Sequence, residues 1–178
     1  MKIVINLVLA VVAVVLAVLL YMEIQRPIEF NKEKEIRYAK VIERLKDIRK
    51  AEFAYKAVRN QYADSFEKLT DFIMTDSFPV IKKIGDIEDS VAVAMGQVVR
   101  DTSMVSVRDS LFPPDYHVDS LGLVPYTKGK PFKINAGEID VNGLTVKVFE
   151  VIDGAPFDPN QVLKVGSMEE PSTNGNWE

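Results

Sequence analysis

The hydrophobic pattern is strongest near the start of the chain. Residues 3–22, IVINLVLAVVAVVLAVLLYM, contain no charged residue, no glycine and no proline. A helix needs about 20 apolar residues to cross a bilayer core of about 30 Å, and this run has that length. The pattern therefore predicts a transmembrane helix, in which Asn6 is the one polar side chain.

A second periodic segment follows Pro27. From Phe30 to about Asn60, apolar residues recur at three- and four-residue steps between charges of both signs, which is typical of an amphipathic helix. A helix from Ile28 to Asn60 would be roughly 50 Å long, more than the ~30 Å of a small domain, so we expect part of it to project or to pack on another chain. The apolar positions are Tyr38, Val41, Ile42, Leu45, Ile48, Ala51, Tyr55, Val58 and Tyr62.

Two interpretations of the membrane-proximal half of this stripe stay open. In the first, it contacts a like helix or a membrane partner, because few residues of the chain remain to cover it. In the second, it is the inner face of the chain's own core. The predicted partner-contact residues are Tyr38, Val41, Ile42, Leu45 and Ile48.

After Asn60 the pattern changes to shorter elements. Asp64 or Ser65 can cap a short helix over residues 66–74. Beyond it β-branched residues dominate and prolines and glycines punctuate the chain. The pattern predicts strands at residues 80–84, 102–108 and 162–165 and a break at 111–114, while 90–99 fits either a strand or a helix.

The clearest local prediction is a hairpin. Asn142-Gly143 lies between two alternating runs, which is the strongest short-range signal for a two-residue β-turn. That turn pairs Val141 with Leu144, Ile139 with Val146 and Glu138 with Lys147. The apolar set Ile139, Val141, Leu144, Val146 and Val148 then shares one face. We expect this face to pack on the alanine-rich half of the amphipathic helix.

Together these elements predict an α+β fold, in which a long transmembrane-plus-amphipathic helix packs on a C-terminal antiparallel β-sheet. The expected organisation is a membrane anchor at 1–27, a helical stalk with the short following helix at 28–76, a β-rich head at 77–165 and a polar tail at 166–178. The tail is expected to be surface coil unless Trp177 docks.

Composition narrows the chemistry. The 178 residues carry a net charge of -4, no cysteine and one histidine. The charge gives no pull toward nucleic acid, and the missing thiols exclude disulfides and cysteine nucleophiles. His117 lies beside Asp115, Asp119 and Ser120, but relay residues come from different elements, so a surface-loop histidine is favoured. No phosphate-binding motif occurs. We predict no enzyme, no catalytic residue and no cofactor.

The order of anchor, proline and amphipathic helix, followed by AEFAYKAVRNQYADSFEKL at residues 51–69, resembles the N-terminal helix of type IV pilins and type II secretion pseudopilins. The resemblance covers about residues 1–70. Ala54-Tyr55, residues 62–65 and Leu69 occupy the places of that family's aromatic-rich turn and next helix. The apolar run lacks the glutamate that the family uses to register filament subunits, so the resemblance implies the architecture more than a filament.

The resemblance also implies a calcium loop near the C-terminus. Asp153, Asp158 and Asn160 could supply oxygen ligands, but their spacing lacks the alternation of an EF-hand loop and fits ordinary turns equally well. We therefore predict no metal ligand and keep calcium as the alternative.

The predicted location is the bacterial inner membrane. A signal-peptide apolar region is about 7–15 residues long and ends near small residues. This run is longer and has no such site, which favours a retained single-pass anchor. Basic residues just after the anchor would place the head in the cytoplasm by the positive-inside rule, but long domains translocate largely regardless of charge. We expect a periplasmic head.

The predicted function is a structural or assembly subunit of an envelope apparatus. Its expected partners are the lipid bilayer and other proteins, or a second copy, through the helix, and no nucleic acid. The alternative is a membrane-tethered binding module, whose sheet or loops at 112–126 hold a peptide, a glycan or an ion.

Overall fold

The computed structural model describes the backbone of residues 1–84 and 99–178, and the side chains of 1–78 and 104–178. The ambiguous segment at 90–99 therefore lies outside the described residues except for its last residue. The helices are α1 (Lys2–Arg59), α2 (Phe66–Thr75), α3 (Val107–Leu111) and a 3-10 turn (Val118–Ser120). The strands are β1 (Ser77–Ile84), β2 (Val99–Ser106), β3 (Lys133–Val141), β4 (Leu144–Ile152) and β5 (Lys164–Gly166).

The predicted α+β class is confirmed. The N-terminal helix is followed by two antiparallel sheets in the described residues, one of β1-β2 and one of β3-β4-β5. The first sheet begins at Ser77, earlier than predicted, and β2 ends at Ser106 because Val107 starts α3. The edge strand predicted at 162–165 is β5.

The predicted anchor and the predicted stalk form one continuous helix. α1 runs for 58 residues through Pro27 and is about 87 Å long at 1.5 Å per residue. Its end is set by Asn60, which adopts a left-handed conformation with φ 55° and donates its backbone N–H to the Lys56 carbonyl. Lys56 and Arg59 lie in the last turn, where positive charge interacts favourably with the helix dipole.

The chain then folds back on the stalk. Ser65 caps α2 by accepting a hydrogen bond from the Lys68 backbone N–H, at 3.5 Å, which decides between the two predicted caps. Leu69, Phe72 and Ile73 are buried, as the apolar pattern of this short helix predicts. The Phe72 ring meets the Tyr55 ring edge-on at 5.1 Å, which fixes α2 against the C-terminal half of α1.

The hairpin has the predicted register. Val141 pairs with Leu144, Ile139 with Val146 and Glu138 with Lys147. Asn142 has φ 54° and Gly143 has φ 82°, the two positive values that a type I′ turn requires.

The prediction that the apolar set packs on the stalk is wrong. Leu144 is 70% exposed, and Val148 is buried but lies outside the main core cluster. The opposite face packs inward: Phe149 is fully buried, with its ring 4.6 Å from that of Tyr62 and 6.5 Å from that of Phe53. The pairing sets which residues share a face. The bulky buried groups beyond the turn, Phe149 and Val151, decide which face meets the helix.

The C-terminal segment is docked, which is the outcome predicted if Trp177 packs. Gly175 forms a β-bridge with Val165, and the Trp177 side chain packs against the core. Arg49 on the stalk forms an ion pair with Glu178 at 2.9 Å. The last residues thus fasten β5 to α1.

Candidate functional site

The first part of α1 stands free of the rest of the chain. Every side chain from residue 3 to 22 is exposed, and Tyr38 is the first buried residue of the chain. This helix is long and apolar enough to span a membrane, and none of its most apolar stretch is buried. An apolar surface of this extent is unusual on a soluble monomer and is typical of a segment covered by lipid or protein.

The predicted contact stripe lies under the head. Tyr38, Val41, Leu45 and Ile48 are buried in the main core cluster, and Ile42 packs against it half-buried. The same cluster includes Val124, Phe132 and Leu163 from the head. The stripe is therefore the inner face of the chain's own core, which is the second of the two interpretations that the sequence left open. A partner could reach these side chains only if the head left the stalk.

The edge of the head nearest the bare N-terminal half of α1 is fastened to this helix at a point that we call the junction, formed by Phe30, Lys34, Arg37 and Tyr38 with residues 157–161. Lys34 forms an ion pair with Asp158 at 2.5 Å, and Tyr38 donates its hydroxyl hydrogen to the Gln161 carbonyl at 2.6 Å. The Lys34 ammonium lowers the pKa of Asp158, as does the Asn160 backbone N–H that also donates to it.

Aromatic contacts complete the junction. The Phe30 and Phe157 rings stack with their centroids 5.0 Å apart, and the Arg37 guanidinium lies 4.5 Å from the Phe157 centroid. Such cation–π contacts are worth roughly 0.5–1 kcal/mol at exposed sites. The junction therefore fixes where the head begins along the helix.

The two acidic residues of the loop at 153–160, the alternative calcium ligands, have different partners. Asp153 is buried and accepts a hydrogen bond from the Ala155 backbone N–H at 2.8 Å, while burial raises its pKa. Asp158 faces Lys34. The described residues contain no group of three or more metal-ligating side chains. In this geometry the loop carboxylates stabilise a turn and an ion pair.

A polar cleft of about 300 Å³ lies between the stalk and the loops at 112–126. Its lining residues are Lys40, Glu43, Arg44, Asp47, Tyr116, Pro125 and Tyr126. Lys40 pairs with Glu43 at 2.8 Å, and Tyr116 donates its hydroxyl hydrogen to Asp47 at 2.8 Å. Burial and this hydrogen bond raise the pKa of Tyr116. The charges of the cleft are largely paired with one another.

His117 lies outside this cleft's lining and is exposed, as are Asp115 and Asp119. The His117 backbone carbonyl accepts two hydrogen bonds from Ser120, one from the backbone N–H at 3.1 Å and one from the hydroxyl at 2.8 Å. The backbone bond closes a 3-10 turn, and neither bond involves an imidazole nitrogen. These hydrogen bonds stabilise a turn.

Sequence reasoning missed Glu52, which is fully buried in the core. One carboxylate oxygen, Oε2, accepts a hydrogen bond from the Ala63 backbone N–H at 2.9 Å, while Oε1 is buried without a partner among the described residues. Burial raises the pKa of this carboxyl to about 8. Its position four residues after Ile48 and three before Tyr55 places it on the apolar face, and this spacing was the available signal.

The exposed anchor, the junction and the polar cleft are the features from which a function can be argued. His117, Asp115 and Asp119 are exposed, and within the part of the chain that the structure describes no three His, Cys, Asp or Glu side chains come together as a group that could hold a metal ion. The comparisons with family models, with curated proteins and with solved structures give no match to this chain.

Proposed function

We propose that this protein is a single-pass, membrane-anchored structural or assembly subunit of a bacterial cell-envelope apparatus, similar in role to pilins and pseudopilins. The observation that carries the proposal is the division of α1 into a bare apolar half and a half clasped by the head. A rigid rod of this kind places a head at a fixed distance from a membrane. We propose the inner membrane as its location and the periplasm for its head.

The surface for assembly would be the neck, which we define as residues 23–35 of α1, together with the anchor. Ile24 and Ile28 on the neck are both more than half exposed, as is Ile36 just beyond it. Covering these side chains with a like helix lowers the free energy by about 25 cal/mol per Å² of apolar area removed from water. The proposed contact surface is thus the neck and not the predicted stripe, which is buried in the core.

Single-cysteine crosslinking tests this assembly, since the chain has no native cysteine. Ile24→Cys, Ile28→Cys and Ile36→Cys are expected to give chain-to-chain adducts in native membranes. Asp140→Cys, exposed at the hairpin tip, is the matched control and should stay monomeric. Uniformly monomeric protein for all three cysteine variants would contradict the proposal of assembly. Protease accessibility of the head in spheroplasts tests the periplasmic orientation.

The second candidate function is a membrane-tethered binding module for a peptide, a glycan or an ion. The polar cleft between the stalk and Tyr116 and Tyr126 supports it, because its position matches the loops predicted to bind. A ligand held there should raise the unfolding temperature of the full chain and lose that effect in Tyr126→Ala. Tyr126 is 57% exposed, so this variant should fold normally.

A further inference from the structure

We propose that a groove between α2 and residues 119–131 docks a segment of another protein, in which a bulky apolar side chain is flanked by lysine or arginine. The groove has a volume of about 530 Å³. Its lining shares no residue with that of the polar cleft. The proposal depends neither on the assembly of the anchor nor on a ligand in the cleft.

The floor of the groove is apolar and open. Phe66, Met74, Leu123 and Pro131 line it, and Met74 and Leu123 are 54% and 40% exposed. Gly122 lets the backbone approach the Phe66 ring, because a Cβ atom there would lie 2.9 Å from Phe66 Cγ. The ring is therefore held in the floor. Covering these side chains with an apolar group from a partner is favourable.

The rim of the groove carries one sign of charge. Glu67, Asp71 and Asp119 line it, all three are exposed, and none of the described lining residues is basic. No lysine or arginine with a described side chain forms an ion pair with any of the three. Complementary charge selects partners and suppresses wrong ones, so an acidic rim around an apolar floor favours a basic, apolar segment.

The position of the groove excludes a lipid surface as the occupant. Arg44 bonds Ser120, the neighbour of Asp119, at 3.0 Å between Nη1 and Oγ. Arg44 lies ~22 residues beyond Met22, which is about 33 Å along the helix at 1.5 Å per residue. Headgroups extend only about 5–8 Å beyond the hydrocarbon core. The neck of an in-register second copy would lie about 14–32 Å below Arg44 at 1.5 Å per residue, and its residues 23–35 include more acidic than basic side chains. The occupant is therefore a separate protein segment.

Fluorescence anisotropy with the full chain in neutral detergent micelles tests the proposal. The probes are three labelled synthetic peptides: one with Leu-Phe flanked by lysines, one with the lysines replaced by glutamates, and one with Leu-Phe replaced by serines. We expect the first to bind at least about tenfold more tightly than the other two, and to weaken as salt is raised.

Two variants on α2 make the test specific. Asp71→Lys reverses one rim charge and Met74→Gln makes the floor polar; both residues are exposed, so both variants should keep the wild-type unfolding temperature. Each should weaken the first peptide by about tenfold, which corresponds to about 1.4 kcal/mol. Glu170→Lys, an exposed charge reversal remote from the groove, should leave binding unchanged.

Three results would overturn the proposal. The first is no binding of any peptide, and the second is equal binding of the acidic or the serine peptide. The third is full binding by both α2 variants. If the peptides do not bind and Met74→Gln instead changes the oligomeric state in sedimentation, a second copy is the occupant and the separate partner is ruled out.

Discussion

Glu52 accepts the backbone N–H of Ala63 through Oε2 at 2.9 Å, inside the core of the protein. The bond joins the helical stalk to the segment just after its end at Asn60, so it sets how the chain leaves α1. The second oxygen has no partner among the described residues, and burial raises the pKa of the carboxyl to about 8. At neutral pH the group is therefore mostly protonated and uncharged.

Glu52 makes the stability depend on pH. Its pKa is about 8 in the folded protein and near 4.5 in the unfolded chain, so the folded state binds more protons between these values. The free energy of unfolding should therefore fall as pH rises from about 4.5 to about 8, by at most about 5 kcal/mol. Chemical unfolding in detergent, followed by Trp177 fluorescence, measures this slope.

Glu52→Gln is the matched variant, because an amide oxygen can still accept from Ala63 but cannot ionise in this range. It should remove most of the slope and be the more stable protein at pH 8. Equal slopes in the two proteins would show that Glu52 does not control the dependence.

The buried stripe predicts a contrast between two isoleucines of α1. Ile48 is fully buried and Ile36 is 52% exposed. Ile48→Ala should lower the free energy of unfolding by about 2–5 kcal/mol, since it opens a cavity. Ile36→Ala should change it by less than about 0.5 kcal/mol. Similar small effects at both positions would mean that the head does not cover the stripe.

The two faces of the hairpin give a second contrast. Phe149 faces the stalk and Leu144 faces outward at the turn. Phe149→Ala should destabilise the protein by about 3–5 kcal/mol, and Leu144→Ala by less than about 0.5 kcal/mol. Thermal unfolding of the two variants side by side measures this. A larger effect of Leu144→Ala than of Phe149→Ala would mean that the face predicted from the alternating pattern is the one that packs on the stalk.

The junction can be weakened without opening a cavity. Tyr38→Phe removes the hydroxyl that donates to the Gln161 carbonyl and should cost about 1 kcal/mol. Amide hydrogen exchange should rise at residues 157–163 and stay unchanged in β3, which contributes no atom to the bond. Exchange that is unaltered near Gln161 would mean that the hydroxyl does not hold this loop.

If the apolar run spans a membrane, one charged residue placed within it should weaken membrane association. Val12 lies near the middle of the apolar run, where a lysine costs about 2.5–3.5 kcal/mol of insertion free energy. Val12→Lys should reduce the fraction of protein that resists alkaline extraction from membranes. Ile36→Lys, outside the run, is the control and should extract like the wild type. Complete extraction of the wild-type protein would contradict a spanning helix.

The sequence by itself determined the elements whose cause is local. An uninterrupted apolar run makes a long helix, a capping side chain at 64 or 65 begins α2, and Asn142-Gly143 sets the hairpin register, because each depends on neighbouring residues alone. Glu52 could also have been placed on the buried face from its spacing.

Only the tertiary structure decided which surfaces meet. A helix stripe is equally apolar whether its own head or another chain covers it, and Tyr38 to Ile48 are covered by the head. A strand pair has two faces, and the buried volume of Phe149 and Val151 chose the one against α1. Lys34 and Asp158 are far apart in sequence, so no local pattern could pair them. Packing depends on shapes brought together across the chain, and those shapes exist only once it has folded.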